Sequence, residues 1–300
     1  MWRLDFVIKD RALSPAAHSF GETKMIKDLI VNLSVGAPRD SAADYAISIA
    51  ETFDAHLAGI AFAFEPVVAP SIMGGIPADV IDAQRASTQK AADAAVAYFE
   101  TAAKKAGLSA EHRLIEATLG GAADMFGRLA RRFDLSVVGQ AEPDKLASQD
   151  IIIEGALFES GRPIVIVPYI QRGPLKLDRV MVCWDGGRTA ARAVADAMPF
   201  LRRSKSIDIV IVASGREKTN EIPGIDLGQH LARHGLKVDV KRIVASDTDV
   251  PNTILSYAAD SSTDFIVMGG YGHSRLREFV LGGATRGILS SMTVPTFMSH

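Results

Sequence analysis

A single cysteine among 300 residues, Cys183, excludes an internal disulfide. It lies in the apolar run Val180-Met181-Val182-Cys183-Trp184 with no histidine near it in sequence, which reads as a buried structural thiol in a reducing cytoplasm. No stretch approaches the ~18 uninterrupted apolar residues of a membrane span. An excess charge of one sign is also lacking. The 33 Lys and Arg nearly balance the 35 Asp and Glu, and the net charge of −2 gives no general attraction to nucleic acid or anionic membrane. Neither first strand is followed by Gly-x-Gly-x-x-Gly, no P-loop ends in Gly-Lys-Ser/Thr, and no nucleophile elbow is found. His230 and His234 stand at helical spacing without an evident third ligand and read as surface residues. What remains is a chain 48% hydrophobic and 23% charged, long enough for two ordinary globular domains.

Residues 1–24 carry no signal-peptide pattern and are expected to be an unstructured tail, or to precede a true start at Met25. From Met25 short β-branched runs alternate with longer amphipathic segments. The pattern predicts strands over Asp28–Leu33, His56–Phe64, His112–Glu116, Leu135–Gly139 and Pro163–Val167. Helices are expected over Ala42–Phe53, Ala78–Lys105, Ala122–Arg132 and Ser148–Ser160. The same order then recurs. Asp134-Leu135-Ser136-Val137-Val138-Gly139 matches Asp264-Phe265-Ile266-Val267-Met268-Gly269, and Ser160-Gly161-Arg162-Pro163 corresponds to Ser291-Met292-Thr293-Val294-Pro295. An internal duplication accounts for this, the second copy lacking much of the Val67–Pro77 loop and the long helix after it. The expected division is a first domain over 25–170, a linker over 171–176 and a second domain over 177–300, each an α/β unit with a parallel sheet flanked by helices.

Ligands of such sheets sit beyond the carboxyl ends of the strands, where the winding reverses. Asp185, Val212, Ala213, Gly269 and Gly272 fall at such ends. The stretch Asp264–Gly272 reads as a strand running into a glycine turn. Gly282-Gly283 then opens a helix over Ala284–Ser291, whose N–H groups and dipole favour a phosphate. The bland alternative is that these glycines serve only the turn. Asp185 is suited to accept from a ribose or an amine, or to cap the helix after it. Its counterpart in the first copy is expected to be Val35, and there Gln140-Ala141-Glu142-Pro143-Asp144 replaces the glycines with acids and a proline. A nucleotide is therefore not expected in the first copy.

Gly269-x-x-Gly272 and Gly282, with Asp185 before them and Val294-Pro295 after, resemble the universal stress protein family, and the duplication resembles its tandem members. The resemblance implies two Rossmann-like domains with five-stranded parallel sheets, joined through their last strands into a pseudo-dimer, with a homodimer of chains as a further expectation. It implies ATP, with Mg, or another adenine nucleotide held by Asp185, Val212 or Ala213, Met268, Gly269, Gly272, Gly282, Gly283 and Ala284. One residue departs from the family pattern: Gly283 stands where nucleotide-binding members carry Ser or Thr. A lost hydroxyl contact costs about 0.5–1.5 kcal/mol, up to about tenfold in affinity. Thr285 is the residue placed to compensate. The readings left open are a cytoplasmic stress-response regulator that binds a nucleotide, an interaction scaffold with vestigial pockets contacting partners through Val67–Lys105, and a weak ATPase.

Overall fold

The computed structural model describes residues 26–65, 77–142, 148–213, 224–245, 249–270 and 283–300. The expectations for residues 1–24, the Val67–Pro77 loop before Pro77, Pro143-Asp144 and the glycine loop Tyr271–Gly282 lie outside them.

Ten strands form one sheet in the order β3-β2-β1-β4-β5-β10-β9-β6-β7-β8. In the N-terminal half the elements are β1 (Asp28–Asn32), α1 (Ser41–Phe53), β2 (His56–Phe64), α2 (Ala78–Lys105), β3 (Glu111–Ala117), α3 (Leu119–Ala130), β4 (Leu135–Gly139), α4 (Ser148–Glu159) and β5 (Ile164–Val167). The C-terminal half repeats them as β6 (Arg179–Cys183), α5 (Arg188–Leu201), β7 (Ser206–Ala213), α6 (Ile225–Arg233), β8 (Val238–Val244), α7 (Val250–Asp260), β9 (Phe265–Gly269), α8 (Gly283–Ser291) and β10 (Thr296–Ser299). Within each half every pairing is parallel, and β5 meets β10 antiparallel with Val165 opposite Phe297. The edges left over, β3 and β8, carry exposed Glu111, His112, Asp239 and partly exposed Lys241, charges that discourage further strand addition.

Alternation along the strands sorts the apolar residues onto two faces. Leu29, Val31, Val180 and Val182 point into a core under α1, α2, α5 and α6. Ile30, Val138, Met181 and Ile266 point into another under α3, α4, α7 and α8. The first core runs unbroken across the seam between the halves. There Phe53 of α1 meets Phe200 of α5 edge to face at 5.0 Å, and the Arg203 guanidinium lies 4.6 Å over the Phe53 ring. The connection after β5 is strapped along α1. Ser41 Oγ donates to the Tyr169 carbonyl (3.0 Å), and Ser48 Oγ accepts from the Leu175 N–H (2.9 Å).

Helix starts follow side-chain caps: Asp40 accepts from the Ala43 N–H at 3.0 Å, Thr118 from Gly121 at 3.2 Å and Asp249 from Asn252 at 2.9 Å. The Thr118 cap starts α3 three residues before the expected Ala122, because Gly120 and Gly121 fit in the first turn of a capped helix instead of breaking it.

Two buried hydroxyls, those of Tyr45 and Ser136, have no hydrogen-bond partner among the described residues. Ser136 is fully buried in β4 between Ile30 and Ile164. Ser136→Ala removes that uncompensated burial and is expected to raise the unfolding free energy by about 1 kcal/mol. An unchanged or lower urea midpoint for the variant would refute this.

Candidate functional site

β6 lies between β9 and β7, so the winding of the C-terminal half reverses at β6 and β9, and their carboxyl ends form a crevice. Asp185 stands exposed two residues beyond β6. Its Oδ1 accepts from the Gly187 N–H at 2.7 Å. That turn is made possible by Gly186 at φ 74°, a conformation few L-residues adopt. Asp185 therefore shapes the approach to α5 without capping it: the N-cap is Gly187, which has no side chain to bond. Oδ2 makes no hydrogen bond among the described residues. Beside it, Cys183 is half-buried, and its thiol is pushed up to about 12 by burial and then by the Asp185 carboxylate. It stays protonated at neutral pH and is no nucleophile.

Val212 and Ala213 close β7, and Met268 and Gly269 close β9, so the structure brings these four and Asp185 to one end of the sheet. Gly283 and Ala284 open α8. Gly272 and Gly282 lie outside the described residues. A Cβ on Gly269 would come within 2.5 Å of the Ala190 nitrogen and 2.7 Å of the Thr189 carbonyl carbon. Gly269 is thus required by the start of α5 before any ligand is considered. Thr285 is 4% exposed within α8.

The N-terminal half differs in a way the sequence misplaced. The Leu33 N–H bonds the Ile60 carbonyl as the Trp184 N–H bonds Val210, so the residue in register with Asp185 is Ser34, not Val35. The correction arises from loop length. α1 begins seven residues after Ser34 whereas α5 begins three after Asp185, and matching Gly36 to Gly186 shifts the alignment by one. An acid is nevertheless present. Asp40, 4% exposed, receives the Ser34 N–H (2.7 Å), the Ser34 hydroxyl (3.1 Å) and the Ala43 N–H. Burial raises its pKa against those hydrogen bonds. This carboxylate ties its own loop. The cavity between the strand ends, lined by Ser34, Arg39, Gly139, Gln140, Glu142 and Tyr169, has about 90 Å³, against the roughly 300 Å³ where small-molecule sites begin, and a neighbouring cleft of about 400 Å³ runs from Ser34 and Asp40 to Ala95 and Tyr98 of α2. A larger space of about 810 Å³ between α1 and α2, at Asp44, Tyr98 and Lys105, is an open groove along helix flanks away from the strand ends.

His230 and His234 lie edge to face on α6, their ring centroids 4.8 Å apart. Among the described residues no group of three or more metal-ligating side chains is found, and no helix is long and apolar enough to cross a membrane.

Residues 176–300 match the model of the universal stress protein family. The chain is 26% identical over 174 residues to universal stress protein Slr1230 of Synechocystis, a match covering 54% of this chain and 56% of the relative, so it spans little more than half of that protein. In fold it is similar to a universal stress protein from Archaeoglobus fulgidus (TM-score 0.69, 15% identity, 91% of this chain and 96% of that one). It is also similar to a putative universal stress protein from Pseudomonas aeruginosa (TM-score 0.60, 11% identity, 91% and 93%). Both alignments run through the two halves and establish the shared tandem α/β fold. Sequence on the C-terminal half and fold over the whole chain agree: residues 176–300 form a universal stress protein domain, and the whole chain shares the fold of the solved universal stress proteins it aligns with.

Proposed function

We propose that this protein is a cytoplasmic stress-response regulator that binds ATP, with Mg, or another adenine nucleotide in its C-terminal half. In this reading residues 25–170 and 177–300 are paired domains joined by 171–176, and only the second keeps a nucleotide site. The observation that carries it is the exposed Asp185 carboxylate at the carboxyl end of β6, beside the β9 end that leads into the glycine loop. Asp185 would accept from the ribose. Main chain at Val212 and Ala213 would border the base. Met268, Gly269, Gly272, Gly282, Gly283 and Ala284 would present backbone to the phosphates at the start of α8. With no hydroxyl at Gly283, affinity rests on backbone donors. Among the described residues no base stands beside these strand ends to activate water, and in this reading the site holds and releases its ligand and signals by shape.

Calorimetry with ATP and Mg on the wild-type chain, Asp185→Ala and Gly272→Val tests this. The wild type is expected to bind, Asp185→Ala at least about tenfold more weakly, because a hydrogen bond to a charged group contributes about 1.5–3 kcal/mol. Gly272→Val is expected to lose binding. Identical isotherms for all three would refute the site.

A second reading, the interaction scaffold, is favoured by one feature. The residues of α2 from Ala78 to Lys90 include no fully buried side chain, so its first three turns stand clear of the core. An empty chain in native mass spectrometry, after purification without added nucleotide, would support it.

A further inference from the structure

We infer that Gln140, in the half for which no nucleotide site is proposed, is a positioning residue for the start of α8, where the phosphate contacts of the other half are proposed. The inference rests on the site proposed above. Gln140 follows β4 and is 5% exposed. Its backbone N–H bonds the Val167 carbonyl at 2.8 Å, as the Gly270 N–H bonds Ser299. The side chain is fixed at both ends. Nε2 donates to the Leu289 carbonyl of α8 at 2.8 Å, and Oε1 accepts from the Tyr169 N–H at 3.4 Å. Only one orientation of the amide satisfies a carbonyl and an N–H together.

Leu289 lies in the last turn of α8, where carbonyls have no partner within the helix. Gln140 therefore completes the C-terminal end of α8 from across the seam. The N-terminal end is Gly283, where the phosphates are proposed to sit. Six residues at 1.5 Å rise put the two ends about 9 Å apart on one short rod. The middle of the rod is also pinned: a Cβ on Gly287 would come within 2.5 Å of Pro251 at the start of α7. A helix seated on α7 and tied at Leu289 has little freedom left at Gly283, and backbone donors bind an anion well only when held in place beforehand.

The arrangement is not reciprocal. The residue in register with Gln140 is Gly270, which has no amide to offer α4. Instead Leu157 of α4 packs into the space, 2.8 Å from where a Cβ would stand. Gln140 of the N-terminal half thus reaches the C-terminal end of α8, whereas the C-terminal half has a glycine at that position.

The test uses the full chain with ATP and Mg. Gln140→Met keeps length and bulk but removes both hydrogen bonds. Gln140→Glu keeps the acceptor for Tyr169 and replaces the donor to Leu289 with a carboxylate oxygen. Both are expected to bind ATP about five- to tenfold more weakly than wild type. Hydrogen exchange supplies a readout that a purely structural role would not move. Saturating ATP is expected to slow exchange at the Tyr169 amide in the wild type, because a coupling between loop and tie acts in both directions, and to leave it unchanged in Gln140→Met. Wild-type binding with both variants within twofold of it, or with Tyr169 exchange indifferent to ATP in the wild type, overturns the positioning role and leaves the site standing. No ATP binding by the wild type overturns both.

Discussion

Phe200→Ala is expected to lower the unfolding free energy by about 4 kcal/mol, the middle of the range for removing a buried aromatic side chain. Phe200 has no exposed surface. Its ring stacks on Phe265 of β9 at 5.0 Å and meets Phe297 of β10 at 5.7 Å. It also meets Phe53 of α1 at 5.0 Å across the seam. Three properly oriented aromatic contacts add to the area buried, each by ~0.5–1.5 kcal/mol. The space left by the ring lies between two sheet strands and two helices that are themselves locked by packing, so collapse around it is limited. Because Phe53 belongs to the other half, the loss weakens the seam as well as the C-terminal core. Guanidinium unfolding followed by far-ultraviolet circular dichroism reads the effect as a lower midpoint at unchanged slope. A loss under about 1 kcal/mol would show that the halves are not held through this cluster.

That cluster also shows what the sequence could convey. The alternation of β-branched runs with amphipathic segments made the element order legible, and the long α2 lies over the expected Ala78–Lys105. The repeat was legible too, because Asp134 and Asp264 do the same work. Each accepts a backbone N–H at the start of the neighbouring strand, Lys27 and Asp28 in one half and Arg179 in the other. Such a role preserves a residue in both copies. Contacts made only in three dimensions left no such trace. Nothing in the spacing placed Phe53 against Phe200, or Gln140 against Leu289. The β5–β10 pairing, now seen, was suggested by resemblance and not by pattern.

The crevices were half legible. Asp185 was singled out correctly as a residue at a strand end, but its partner was misplaced by one position. Residue matching has no knowledge of where a helix begins, whereas the strand register has. The sequence marks Gly269 as a strand-end residue of the ligand site. Its first obligation is to α5.

That obligation sets the second large effect. Gly269→Ala is expected to cost about 3 kcal/mol and to reduce ATP binding below detection in calorimetry. The added methyl would lie 2.5 Å from the Ala190 nitrogen, 2.6 Å from Thr189 Oγ1 and 2.7 Å from the Thr189 carbonyl carbon. Two of those three atoms are backbone, so no rotamer change relieves the clash. Either β9 or the first turn of α5 must move, and overpacking of this kind costs typically 1–3 kcal/mol. The first turn of α5 follows Asp185 by three residues, and β9 feeds the glycine loop. A shift of either displaces a proposed ligand contact, and misplacement by about 1 Å is enough to lose binding geometry. The N-terminal half supplies the control. Gly139 occupies the same register position, but there a Cβ would meet Ser34 Oγ at 3.5 Å and Ala42 Cβ at 3.7 Å, ordinary contact distances. The longer loop before α1 holds that helix off the strand. Gly139→Ala is therefore expected to change stability by less than about 0.5 kcal/mol, within the usual range of substitutions that create no strain, and to leave ATP binding as in the wild type. Equal urea midpoints for the two alanine variants would contradict the account. Unequal midpoints with equal ATP affinity would place the clash as described but remove Gly269 from the site.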